Sequence, residues 1–465
     1  MDSRLPYDRL WAVRLRSCSA SLSEVEPGGN DWSRSALTIS RRAGPARQFP
    51  TRPARPGAPA AAPVPLSAAP PWPDDSDPQF WDRIRDQFYI KPGEAYFNTG
   101  TIGATPRPVL ERVIEDMRTL QATITRWDWS PNMPNWISGY SPEVALRAKL
   151  AKLVNADASE IALIQNATMG MNFLAHGLDL KAGDEIISTN QEHPSGVCGW
   201  QMRAKRDGVI WKPITMPVPA NDPDEIVHLY EQAITPRTRA LSFPHIISPT
   251  AVVMPAKRLS ALAHDHGCLA VVDGADGIGQ VKLDMKDIGC DACFSSPHKW
   301  LLAPPGNGML YIPREKQDRF WTTLDSSEWD NHKDGMYRFM QCGTGNMSLL
   351  AALDAAIDFH NRIGPERVRA RIKFLADRLR TGLQQIPSAR ISSPVHPELA
   401  GGIVVHRLEG VPAQKLQDEL WLRGQLRVRS VGDALGVRQS CMIYNSEGEI
   451  DSTLEIVKAL RATPA

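Results

Sequence analysis

The sequence predicts an α/β fold built on a mainly parallel sheet with helices on both faces. Three observations carry this reading. Short β-rich runs alternate with helical stretches of about a dozen residues, the pattern of repeated βαβ units. A run such as Leu269–Asp273 is apolar up to its last residue, as a strand covered on both faces must be. Polar residues gather just beyond such runs, and open sheets of this kind bind ligands outside the carboxyl ends of their strands.

In chain order, Glu160–Gln165 reads as a strand and Thr168–Leu178 as a helix. Glu185–Thr189 is then a strand, Gly196–Arg206 a helix and Val209–Met216 a strand. Pro223–Ile234 follows as a helix, Ala240–Pro244 as a strand and Pro255–His266 as a helix. Leu269–Asp273, Ala292–Ser295 and Gly308–Ile312 close the series as strands. Beyond them, Leu349–His360 is a further helix.

The chain has 465 residues, with 53 Lys and Arg against 52 Asp and Glu. That length gives two or three domains, each able to bury a core. A balance so close to neutral excludes an evident nucleic-acid surface, which needs clustered basic residues. No apolar run reaches the roughly 18 residues of a membrane span. Seven Cys are too few for a disulfide scaffold. A large enzyme is the expectation.

Residues 1–78 read differently. Residues 50–78 hold ten prolines, and residues 1–72 hold ten Arg, no Lys and five acids. Proline fixes φ and removes a donor, so an extended linker is expected there. The Arg-rich, acid-poor leader has the composition of a targeting segment; a tail preceding a cytoplasmic enzyme, or a misassigned start, is the other reading.

Two strand ends carry the chemistry. Asp273 closes a buried apolar strand, where a lone carboxylate needs a cationic or donating partner. Lys299 follows a second apolar strand within PheSerSerProHisLysTrp. A lysine and an aspartate at neighbouring strand ends, with Ser296 and His298 just before the lysine, resemble the pyridoxal phosphate (PLP) site of fold-type I enzymes of the class V aminotransferase group. The resemblance spans most of Phe80–Leu460, and the HisProSer and SerProThr wording is most similar to isopenicillin N epimerase-like proteins.

The resemblance implies a seven-stranded, mainly parallel sheet, with a smaller α+β C-terminal domain. It divides the chain at 79–141 (joining the small domain), 142–324 (PLP-binding) and 325–465 (small domain). It implies a Schiff base on Lys299, Asp273 as partner of the pyridine nitrogen, and His193 of GlnGluHisProSerGly stacked on the ring. Thr168 and the backbone N–H of Met169 take the phosphate at a helix start, where the dipole and unpaired donors favour anions. Ser296 and His298 flank the same group. Gly343 and Thr344 form a loop that reaches a neighbouring subunit's phosphate, which implies a homodimer. Asn98 borders an amino-acid substrate, and Arg438 grips its carboxylate in the bidentate manner open to arginine.

Two departures stand out. Asp276 occupies a position where the family often has Gln or His facing the ring's phenolate oxygen. Ser248 stands where the desulfurase branch typically has Asn. Desulfurases also carry a nucleophilic Cys before the C-terminal arginine, whereas Leu426–Arg438 contains none. A persulfide mechanism is therefore not expected; epimerisation, transamination and β-elimination stay open. Cys441 is expected to be buried, and the Cys290–Cys293 pair leads into a core strand, so no metal site is expected. The Trp-rich run Trp127–Trp136 suits a pocket wall or a dimer contact, and His193 or Tyr140 suits the second acid that epimerisation needs.

Overall fold

A computed structural model describes residues 72, 77, 79–126 and 141–460. The Trp127–Trp136 run, Tyr140 and nearly all of the leader lie outside these. A short strand, β1 (Ala95–Tyr96), comes first. The large sheet then uses β2 (Ile161–Ile164), β3 (Glu185–Thr189), β4 (Ile210–Ile214), β5 (Thr238–Pro244), β6 (Leu269–Asp273), β7 (Ala292–Ser295) and β8 (Gly308–Tyr311). Their order is β2-β8-β7-β6-β5-β3-β4. Only β8 runs antiparallel to its neighbours; β3 to β7 pair in parallel. Every residue of β2, β3, β6, β7 and β8 is buried, as two-sided helix cover demands.

The predicted series holds. Expected spans for β3, β6 and β7 coincide with those observed. Three helices start earlier than expected, Met347–Ile363 among them, and two do so for a clear local reason. Helix Ala167–Gly177 is capped by Asn166, whose side chain accepts from the Met169 N–H, so Thr168 lies inside the first turn. Helix Pro194–Asp207 begins on a proline, which costs nothing where no intrahelical donor is required. It stops at Gly208, whose φ of 73° suits glycine.

Beyond the large sheet lie β9 (Ala389–Ile391), β10 (Ile403–Leu408), β11 (Leu426–Arg427), β12 (Arg429–Ser430) and β13 (Val437–Ser440). Four of these form an antiparallel sheet in the order β12-β13-β10-β9. A second apolar cluster sits on it, drawing Leu375, Leu379 and Leu383 from helix Pro365–Gln384 and Ile450 and Val457 from helix Glu447–Ala459. Phe97 belongs to this cluster too, because β1 pairs in parallel with β11. Helix Met347–Ile363 packs into the larger cluster. Among the described residues no helix is long and apolar enough to cross a membrane.

Candidate active site

The carboxyl ends of β2, β3, β5, β6 and β7 open onto a cavity of about 270 Å³, lined by Thr168, His193, Asp273, Asp276, Ser296 and Lys299 among others. The sheet explains the convergence. Cα partners run Pro244 to Asp273 and Asp273 to Phe294 across β5, β6 and β7, so residues following these positions emerge side by side.

Asp273 is buried at 9% exposure. One carboxylate oxygen accepts from the Ala275 N–H at 2.9 Å. Burial raises the group to about 6, against the pull of the Lys299 charge. The other oxygen faces Gly196, where an added Cβ would lie 2.7 Å away. A glycine there leaves that oxygen open.

Lys299 donates to Asp276 Oδ2 at 2.8 Å, and the Trp300 indole donates to Asp276 Oδ1 at 2.9 Å. Asp276 is the first of the two departures noted in the sequence. Here it is buried at 3% exposure and gripped from both sides, so its charge is compensated by the lysine. A buried pair of this kind needs such close geometry to offset desolvation.

At the helix start one expected donor is absent. Met169 N–H is already used by Asn166 Oδ1 at 2.9 Å, and the Ala167 N–H donates to Ser296 Oγ at 3.1 Å. Among the described residues, the backbone donor of this turn left open is therefore that of Thr168. Met169 itself does not line the cavity, whereas Thr168, Ser296 and His298 do. The Ser296 hydroxyl, accepting from Ala167, keeps its own proton free to donate. His298 is held through Nδ1 to the Asn307 carbonyl at 3.4 Å, and burial lowers its pKa. His193 is the N-cap of helix Pro194–Asp207, with Nδ1 accepting from Ser195 N–H at 3.2 Å. Burial and the Lys299 charge hold it toward the neutral form.

The substrate side comes from the second sheet. Arg438 on β13 is 1% exposed. It donates to Ser248 Oγ and the Ser248 carbonyl at 2.9 and 3.1 Å, to Thr101 Oγ1 at 2.9 Å, and to Asn98 Oδ1 at 3.3 Å. Burial pulls it down to about 10. Asn98 and Arg438 are thus brought together. Gly343 and Thr344 sit on a partly exposed loop away from this chain's cavity.

Cys290, Cys293 and Cys441 are buried; burial pushes the first two thiols far up and Cys441 to about 12. Among the described residues, no group of three or more His, Cys, Asp or Glu gathers to hold a metal. The sequence reading misses Asn166 and Thr101. Asn is a preferred N-cap, so Asn166 was detectable; Thr101 joins the site only through the distant strand β13.

These residues fit PLP. An amine, a buried carboxylate with one open oxygen, and a helix terminus with an unused N–H share one cavity. Fold and site together define a PLP-dependent enzyme of fold type I. The aminotransferase class-V family model matches residues 97–453, and the chain belongs to that family. It is 31% identical over 399 residues to isopenicillin N epimerase of Streptomyces clavuligerus, covering 82% of this chain and 98% of that one. A probable cysteine desulfurase of Synechocystis sp. is 28% identical, covering 78% and 90%. A solved structure of a C-DES mutant with glycine covalently linked to its PLP cofactor superposes with a TM-score of 0.72 at 25% identity, covering 80% and 98%. The apo cysteine desulfurase of Thermococcus onnurineus shares the fold, with a TM-score of 0.69 at 23% identity, covering 81% and 97%.

Proposed function

We propose that this enzyme acts at the α-carbon of an amino acid, in the manner of the epimerase-like members of its family. The observation that carries the reading is the shared cavity of Lys299 and Asp273, with Arg438 hydrogen-bonded to the lining residues Thr101 and Ser248. PLP, when bound, supplies the electron sink that acidifies the α-proton. Lys299 is the group that carries the cofactor and then moves that proton. Asp273 holds a proton on the ring nitrogen. Thr168, Ser296 and His298 seat the phosphate, and His193 sets the tilt of the ring. Arg438 orients the carboxylate, with Asn98 and Thr101 fixing its fork.

The absence of cysteine from Leu426–Arg438 and the burial of Cys441 speak against a persulfide route. β-Elimination is the second reading, since it needs a leaving group on the substrate and no second acid. Supporting a homodimer are the partly exposed Gly343–Gly345 loop and the exposed apolar side chains Ile114, Met117, Trp321, Leu324 and Trp329. We also assign two lobes, 142–324 and 325–465, with 79–141 forming part of the second and helix Met347–Ile363 leading back from the Gly343–Gly345 loop.

The deciding experiment incubates the PLP-loaded protein with an amino-acid panel in D2O. α-Deuteration with inversion indicates epimerisation, keto-acid formation transamination, and ammonia with an unsaturated product elimination. No exchange, or exchange that persists in Lys299→Ala, overturns the proposal.

A further inference from the structure

Two guanidiniums meet on one hydroxyl at the edge of the cavity. Thr101 Oγ1 accepts from Arg438 at 2.9 Å and from Arg429 at 2.9 Å, while donating to Asn98 Oδ1 at 2.9 Å. Arg429 and Arg438 are direct cross-strand partners on β12 and β13. Like charges placed opposite each other weaken a sheet. Among the described residues neither arginine forms an ion pair with a carboxylate. The acid that acts on Arg438 through space is Asp276, and it is taken up by Lys299 and Trp300. Both cations also act on His193, which lines the cavity.

Further donors there lack acceptors. Among the described residues, Arg438 Nε and Ser440 Oγ are buried without partners. Gly100 leaves space beside them, since an added Cβ would stand 3.1 Å from Ser440 Oγ and 3.3 Å from the Arg438 guanidinium carbon. One α-carboxylate can satisfy Arg438, but it leaves the exposed charge of Arg429 unmatched.

We propose that Arg429 reads a second carboxylate, so that the substrate is an amino acid bearing another acid group remote from its α-carbon. This rests on the reading of the site given under Proposed function. Arg438 takes the α-carboxylate, and Arg429, exposed on its short strand, takes the distal one. Thr101 spaces the two forks.

The test titrates PLP-loaded protein with L-glutamate, L-2-aminoadipate, L-glutamine and L-alanine, following the visible absorbance of the bound cofactor. The acidic ligands are expected to half-saturate at concentrations about 10-fold or more below glutamine, the size of one charge-assisted contact. Arg429→Gln should bring that ratio toward one, Arg429→Lys should keep part of it, and Arg438→Gln should weaken all four ligands. Added salt should shrink the ratio in the wild type. A wild-type ratio near one, or a ratio unchanged in Arg429→Gln, overturns the second subsite and leaves the general reading intact. No spectral response to any amino acid overturns both.

Discussion

Lys299 Nζ lies 2.8 Å from Asp276 Oδ2, and the same carboxylate is held on its other oxygen by Trp300. The pair makes the apo-protein's stability depend on both partners. In Lys299→Ala the buried carboxylate keeps only the indole, and removing one partner of a buried pair costs about 3 kcal/mol or more. Asp276→Asn should cost less, since Trp300 can still donate to the amide oxygen and the ammonium can turn toward the cavity. The double variant should recover part of the loss. Urea unfolding of the four cofactor-free proteins measures the coupling.

Asp273 predicts a pH signature. Its folded pKa stands at about 6 against an ordinary value of 3.8. The native state therefore keeps a proton that the unfolded chain has lost, and apo-protein stability drains away as pH climbs from 3.8 to 6 on this account. Asp273→Asn should match wild type below pH 4 and exceed it above pH 6 by about 3 kcal/mol.

His360 predicts the opposite slope. Burial lowers it from 6.5 to about 4, and among the described residues its Nε2 has no partner. The unfolded chain takes the proton first, so stability declines as pH falls from 6.5 to 4. His360→Leu should flatten this acid limb by up to about 3 kcal/mol, visible as a higher Tm than wild type at pH 5.

Gly103 allows the loop after β1 to touch the lysine segment. Its N–H donates to the His298 carbonyl at 2.9 Å, and an added Cβ would lie 2.0 Å from the Lys299 carbonyl oxygen. Gly103→Ala should therefore cost about 2–3 kcal/mol, as overpacking against backbone does, and lower the PLP content of the purified protein.

Asn166→Ala should cost about 1 kcal/mol through loss of the helix cap, and Asn166→Ser should restore most of it. Because that cap shapes the turn carrying Thr168, the Ala variant should also bind PLP more weakly in a fluorescence titration.

Much of this was legible beforehand. The strand ends delivering Asp273 and Lys299 follow from short apolar runs whose limits polar residues mark. The cap at Asn166 was legible in principle, since asparagine favours that position, but the expected helix began only at Thr168. The clasp on Asp276 was not, because a carboxylate's partner depends on how two strands lie side by side. The meeting of Thr101, Arg429 and Arg438 was further from reach, since over 300 positions separate residues 101 and 429.

The pairing of β1 with β11 has a consequence for biosynthesis. A nascent chain leaving the ribosome makes the stretch around Phe97 early but must wait for residues 426 and 427 before that stretch has a strand to join. The large sheet can assemble during translation, before Arg438 and its neighbours are made. Cofactor capture in its finished geometry thus waits on that distant segment, and a chain cut before β11 would hold the lysine yet lack the wall that positions whatever the lysine is meant to meet.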